Sequence, residues 1–76
     1  MSGKYIVVFK NSATPEEINK YAEDVNQNGG SVKNVWHSGL KGFSAEITPE
    51  YFTSLQSLTG NGPIDYIEED SVVTTQ

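Results

Sequence analysis

The sequence predicts an α+β fold in which two helices cover one face of a four-stranded antiparallel sheet. Three observations predict it. β-Branched and aromatic runs alternate with two amphipathic helical patterns, each helical pattern opens on Thr-Pro-Glu, and glycine-rich segments separate the elements. The resulting order, strand, helix, strand, strand, helix, strand, is that of a ferredoxin-like βαββαβ domain, and we expect the first and last strands to lie adjacent at its centre.

The first strand and the first helix carry the clearest signals. Residues 4–10 (KYIVVFK) are apolar on both alternating faces, as expected of a central strand. Thr14 is placed as the N-cap, Pro15 as the first helical residue and Glu17 as the partner in a capping box. The apolar stripe of this helix comprises Ile18, Tyr21, Ala22 and Val25. The pair Gly29-Gly30 ends the helix after about residue 28.

A hairpin follows the first helix. Residues 31–38 alternate roughly as a second strand, and residues 39–42 (GLKG) predict the turn. The residues of the third strand that should face the core are Phe43, Ala45 and Ile47. Ser44 and Glu46 should then point to the opposite, wetter side of the sheet.

The second helix repeats the start signal of the first at residues 48–50 (TPE). Its apolar stripe comprises Phe52, Leu55 and Leu58. Residues 60–63 (GNGP) end it, and residues 64–68 form the last strand. With both helices on one side, the other sheet face has no cover from its own chain, which is a physical reason to expect a protein partner there.

Composition narrows the function classes. Ten acidic residues against five basic ones give a net charge of −5, which disfavours nucleic acid and anionic membranes as partners. The chain has no cysteine and no apolar run long enough for a signal peptide or a membrane span. We therefore expect one domain over residues 1–76, with a folded body (1–70) and an extended tail (71–76), in the cytoplasm.

The sequence contains few residues that could act in catalysis, so we expect no enzyme activity, no cofactor and no metal. The single histidine, His37, has no serine or carboxylate at a spacing typical of a triad and reads as a solvent-facing strand residue. Trp36 is equally consistent with an interface anchor and with partial burial in the core. The Asn-Gly pairs at 28–29 and 61–62 read as turns, not as a phosphate-binding loop.

The acidic cluster at residues 68–70 (EED) has three interpretations. A run of charges near a terminus usually keeps the surface solvated. A metal site would need further oxygen ligands, which the following valines and threonines do not supply. Alternatively, carboxylates at a strand end could accept hydrogen bonds from the exposed helix N-termini of a partner.

Three segments carry a resemblance to a known family. They are residues 4–10 (KYIVVFK), the pair Gly29-Gly30 and residues 66–73 (YIEEDSVV). Taken in this order, over nearly the whole chain, they resemble a subtilisin propeptide. The similarity is especially close to the stand-alone fungal inhibitors of proteinases A and B in that family.

The resemblance implies a serine protease inhibitor whose partner is a subtilisin-like protease. The open sheet face would pack on two parallel surface helices of the protease, with Glu68 and Asp70 capping those helices. The residues implied to bind the substrate cleft are Val72, Val73, Thr74, Thr75 and Gln76. In this arrangement Val73 fills the fourth subsite and Gln76 the primary pocket, and the tail ends there as a bound product rather than a scissile bond.

Two rival functions stay open at the level of sequence. A surface complementary to a folded protease could also assist its folding, which would make the chain a folding chaperone. A ferredoxin-like domain could instead be a small ligand-binding regulatory domain, because many functions share this fold. In each case we expect the free protein to be a monomer.

Overall fold

The computed structural model describes residues 3–70 and confirms the predicted α+β, ferredoxin-like architecture. Its elements are β1 (Gly3–Phe9), α1 (Pro15–Gln27), β2 (Ser31–Trp36), β3 (Gly42–Ile47), α2 (Pro49–Gln56) and β4 (Ile64–Glu69). None of the helices in this part of the chain is long and apolar enough to cross a membrane.

The four strands form one antiparallel sheet in the order β2-β3-β1-β4. The first and last strands are adjacent, as expected, but the expectation that both lie at the centre was wrong. β1 and β3 are central, and β4 is an edge strand. The pattern of β4 explains this position, because Asp65, Tyr66 and Glu68 are exposed, whereas β3 is buried at almost every residue.

Both helices begin at the predicted threonines. The Thr14 hydroxyl accepts a hydrogen bond from the Glu17 amide at 3.1 Å, and the Glu17 carboxylate accepts one from the Thr14 amide at 3.0 Å. Thr48 caps α2 through a single bond, accepted from the Tyr51 amide at 3.3 Å. α1 ends where Gly29 adopts a φ of 86°, a conformation that glycine takes without a steric penalty.

The core lies between the helices and the side of the sheet that they cover. Its buried members are Val7, Phe9, Ala13, Ile18, Ala22, Val25, Phe43, Ala45, Ile47, Leu55 and Ile64. Tyr5 extends the core through a stacked contact with Phe52, with ring centroids 4.6 Å apart. The predicted stripes are confirmed, except that Tyr21 and Phe52 are only partly buried and Leu58 lies beyond the end of α2.

Ser44 departs from its predicted environment. It points away from the core, but it is only 7% exposed instead of solvated. It sits between Ile6 of β1 and Asn34 of β2, and the Asn34 amide donates a hydrogen bond to its hydroxyl at 3.3 Å. A small side chain on a central strand is covered by its larger cross-strand neighbours.

Candidate protein-binding face

The face of the sheet opposite the helices is called the open face below. Strand pairing identifies its residues, because residues directly opposite each other on paired strands project to the same side of the sheet. Three rows cross this face. The first row contains Trp36, Gly42, Val8 and Tyr66, and the second contains Asn34, Ser44, Ile6 and Glu68. The third contains Ser31, Glu46 and Lys4, and the Asp70 amide donates to the Lys4 carbonyl at 2.8 Å. No helix of the described chain covers these rows.

The third row and Glu68 form the polar end of the open face. Glu68 lies opposite Ile6, and Asp70 follows two residues later, so both carboxylates share this side of the sheet. Glu69 pairs with Tyr5, whose ring packs on α2, so the Glu69 carboxylate belongs to the other side. A shallow depression at the polar end is lined by Lys4, Lys33, Asn34, Ser44, Glu46 and Asp70.

The first row forms the apolar end of the same face. Tyr66 is 47% exposed and Leu40, in the loop before β3, is 46% exposed. Both line a depression together with Val8, which is itself only 7% exposed. Trp36 is half-buried on the open face and is absent from the core cluster, which favours the interface interpretation of this residue.

Leu40 and Tyr66 were not predicted as binding residues. Leu40 reads as part of a turn, and nothing in its local sequence indicates that the turn lies beside β4. Tyr66 could have been found from alternation, because it lies two residues before Glu68 and therefore on the same side of the strand.

His37 is not part of a candidate catalytic or metal-binding site within residues 3–70. Its side chain is exposed, as predicted, and its Nε2 is 3.0 Å from the Asn19 side-chain oxygen, which links the end of β2 to α1. Among residues 3–70 there is no group of three histidine or acidic side chains that could hold a metal ion. The arrangement supports recognition of a protein surface through shape and charge.

The predicted cleft-binding residues Val72, Val73, Thr74, Thr75 and Gln76 lie outside the described residues. The described chain leads toward them from the polar end of the open face, where Asp70 still pairs with Lys4. Glu68 and Asp70 are thus the predicted site residues that the structure brings together.

Comparison with known proteins gives one family and two relatives. The model of the peptidase inhibitor I9 family matches residues 4–76. Serine proteinase inhibitors IA-1 and IA-2 of Pleurotus ostreatus are each 43% identical to this chain over 76 residues. The alignments cover 99% of this chain and 99% of each relative, so the similarity extends through the whole fold and past β4.

Proposed function

This chain belongs to the peptidase inhibitor I9 family, and we propose that it inhibits subtilisin-like serine proteases by packing its open face on the enzyme and placing its tail in the substrate cleft. Both relatives are named serine proteinase inhibitors, which supports this class of target. As such an inhibitor, the chain itself catalyses nothing. The observation that carries it is the open face, which presents an apolar end and two carboxylates on one side of the sheet.

The polar end accounts for orientation on the partner. The free amides at a helix N-terminus carry partial positive charge and need acceptors. Glu68 and Asp70, held two residues apart at the end of β4, offer such acceptors to two neighbouring helices of a protease. We propose this capping role for both residues.

The apolar end accounts for much of the contact area. Large aromatic and aliphatic side chains at the centre of an interface usually carry most of the binding free energy. Tyr66 and Leu40 expose nearly half of their surface over Val8, and Trp36 flanks them. We propose that these residues pack against the apolar sides of the same helices.

The tail supplies the contact that blocks catalysis. Residues 72–75 are β-branched, which suits an extended strand that pairs with the edge of the cleft. We propose that Val73 occupies the fourth subsite and Gln76 the primary specificity pocket, with Thr74 and Thr75 between them. In this arrangement the tail occupies the subsites that a peptide substrate would fill, which blocks access of substrate to the catalytic groups.

A truncation tests this arrangement. Subtilisin is titrated with the intact chain and with a variant lacking residues 73–76, and hydrolysis of a small peptide substrate is followed. Circular dichroism checks that both chains are folded. We expect inhibition by the intact chain only, and mass spectrometry should show an uncut tail. Equal inhibition by the two chains would overturn the tail's role, and no inhibition of any subtilisin-like enzyme would overturn the function.

The open face also supports a folding-chaperone role as an alternative. A surface that fits two helices of a folded protease also stabilises a folding intermediate in which those helices have formed. The refolding yield of denatured subtilisin, measured with the truncated chain, separates the roles. A chaperone raises that yield without the tail, whereas an inhibitor acting only through the cleft does not.

A further inference from the structure

We propose that Asn61 is a site of spontaneous deamidation, and that the fold protects Asn28, which stands in the same Asn-Gly dipeptide. Neither pair belongs to the open face or to the tail. The difference between them follows from local geometry.

The reaction needs only the chain and water. The backbone nitrogen of the following glycine loses its proton to hydroxide and attacks the side-chain carbonyl carbon of asparagine, so that a C–N bond forms. The side-chain nitrogen takes up a proton from water and leaves as ammonia with the electron pair of the broken amide bond. Water then opens the resulting cyclic imide at either carbonyl and yields aspartate or isoaspartate. Glycine favours the attack because it has no Cβ to hinder the approach.

The helix end holds Asn28 in a conformation that opposes ring closure. Asn28 is the C-cap of α1 with a ψ of 34°, which places the Gly29 nitrogen nearly anti to the Asn28 Cβ, whereas the five-membered ring needs them eclipsed. Its side-chain amide also donates to the Asp24 carbonyl at 2.7 Å. The Gly30 amide donates a hydrogen bond to the Val25 carbonyl at 2.9 Å, so hydrogen bonds restrain the whole end of the helix.

The Asn61 side chain is not held in this way, although Lys10 bonds to the residues on either side of the Asn-Gly pair. It is exposed and stands between Gly60, with a φ of 80°, and Gly62. None of the side-chain hydrogen bonds within residues 3–70 involves it. Its amide can therefore rotate toward the Gly62 nitrogen. Because Gly60 precedes it and Gly62 follows it, we expect the backbone at Asn61 to rotate into the reactive geometry without global unfolding.

The products have distinct consequences because Lys10 anchors both flanks of the loop. The Lys10 ammonium donates to the Gly60 carbonyl, and the Lys10 amide donates to the Pro63 carbonyl at 2.9 Å. Isoaspartate adds a methylene to the main chain between these anchors, three residues before the buried Ile64. We therefore expect it to lower the melting temperature, whereas aspartate adds a charge beside Lys10 with little strain.

Native protein and protein unfolded in urea are incubated at mildly alkaline pH and digested with trypsin, with an unincubated sample as the reference. Cleavage after the five lysines places Asn28 in peptide 21–33 and Asn61 in peptide 42–76. Tandem mass spectrometry assigns the amide-to-acid mass gain to a residue. In the native protein, conversion at Asn61 should exceed that at Asn28 by at least roughly tenfold, because Asn28 must wait for local opening.

In urea the two rates should become similar, and Asn61→Gln should abolish the native reaction in peptide 42–76 at this position. Asn61→Asp supplies the charge without the added methylene, so its melting temperature should stay near that of the unmodified protein. Gly62→Ala is unsuitable as a control, because a Cβ there would lie 2.3 Å from the Leu58 carbonyl oxygen. The proposal would be overturned if, in the native protein, Asn28 were deamidated as fast as Asn61 or faster.

Discussion

At the scale of single residues, the face that a carboxylate occupies should decide its effect on inhibition. Glu68 and Asp70 lie on the open face, whereas Glu69 lies between them in sequence and on the opposite side. We predict that Glu68→Gln and Asp70→Asn each weaken inhibition of subtilisin by roughly two- to fivefold, the range of a charge at a helix N-terminus. Inhibition constants measured at low ionic strength check this.

Glu69→Gln is the matched control, because it removes the same charge from the same strand. We expect no change in its inhibition constant. If all three substitutions weakened inhibition equally, the effect would come from net charge, and specific capping by Glu68 and Asp70 would be excluded.

Tyr51 gives a second prediction at this scale. Burial, followed by the negative charge of Asp24, raises the pKa of Tyr51 from 10.0 to about 12. The folded state therefore holds the phenolic proton more tightly than the unfolded state does. This contribution to the free energy of unfolding is complete below about pH 10 and is lost as pH rises toward 12.

Urea denaturation across this pH range checks the prediction. The unfolding free energy should fall less steeply in Tyr51→Phe than in the unsubstituted chain, because both share every other titrating group. In Asp24→Asn, absorbance titration should place the Tyr51 pKa below about 12 but still above 10.0, since burial is the larger cause. An identical pH profile for Tyr51→Phe would contradict the assignment.

For single residues, the orientation of a side chain could be predicted from the sequence more readily than its burial. The side of the sheet taken by Glu68 and Asp70 follows from the period of two along a strand, so it was predictable once the strand was recognised. The burial of Ser44 was not, because it depends on Ile6 and Asn34 across two strand pairs. Local alternation indicates where a side chain points, and its neighbours decide whether water reaches it.

At the scale of elements, the close approach of β3 to β1 depends on Gly42. A Cβ built there would lie 2.0 Å from the Val7 carbonyl oxygen, and its φ of 154° is unfavourable for other residues. We predict that Gly42→Ala lowers the unfolding free energy by about 3 kcal/mol, through the forced separation of the two central strands. Chemical denaturation monitored by circular dichroism measures this loss.

Gly39 provides the comparison in the loop before the same strand. Its φ is 71°, but within residues 3–70 no atom other than those of its chain neighbours lies within 4 Å of a Cβ built there. Gly39→Ala should therefore cost only the backbone term, roughly 1–2 kcal/mol. A loss at Gly39 as large as that at Gly42 would show that conformation, and not the contact with β1, governs both sites.

Element boundaries were predictable, and sheet order was only partly so. Thr14 and Thr48 mark the helix starts because a capping side chain is encoded locally. Which strands take the centre is decided by all the pairings together. β1 is apolar on both faces and was rightly predicted to be central, but the charged residues Asp65, Glu68 and Glu69 should have indicated that β4 is an edge strand.

At the scale of the whole molecule, inhibition should last only as long as the body stays folded. Phe43 is fully buried in the middle of the core, with its ring centroid 5.8 Å from that of Phe9. Phe43→Ala should cost about 3–5 kcal/mol, a large share of the roughly 5–15 kcal/mol that stabilises a typical domain. We predict that this variant inhibits subtilisin at first and then loses inhibition as the protease digests its unfolded fraction.

The time course of residual protease activity, with gel analysis of the inhibitor, tests this prediction. Val35→Ala is the control, because Val35 pairs with Phe43 across β2 and β3 but is 37% exposed and lies on the helix side of the sheet. It should melt close to the unsubstituted chain and inhibit for as long. If Phe43→Ala had an unchanged melting curve and inhibited for as long as the unsubstituted chain, the prediction that core packing at Phe43 limits the duration of inhibition would be wrong. Early inhibition followed by recovery of protease activity would instead show that the fold protects the tail as well as presenting it.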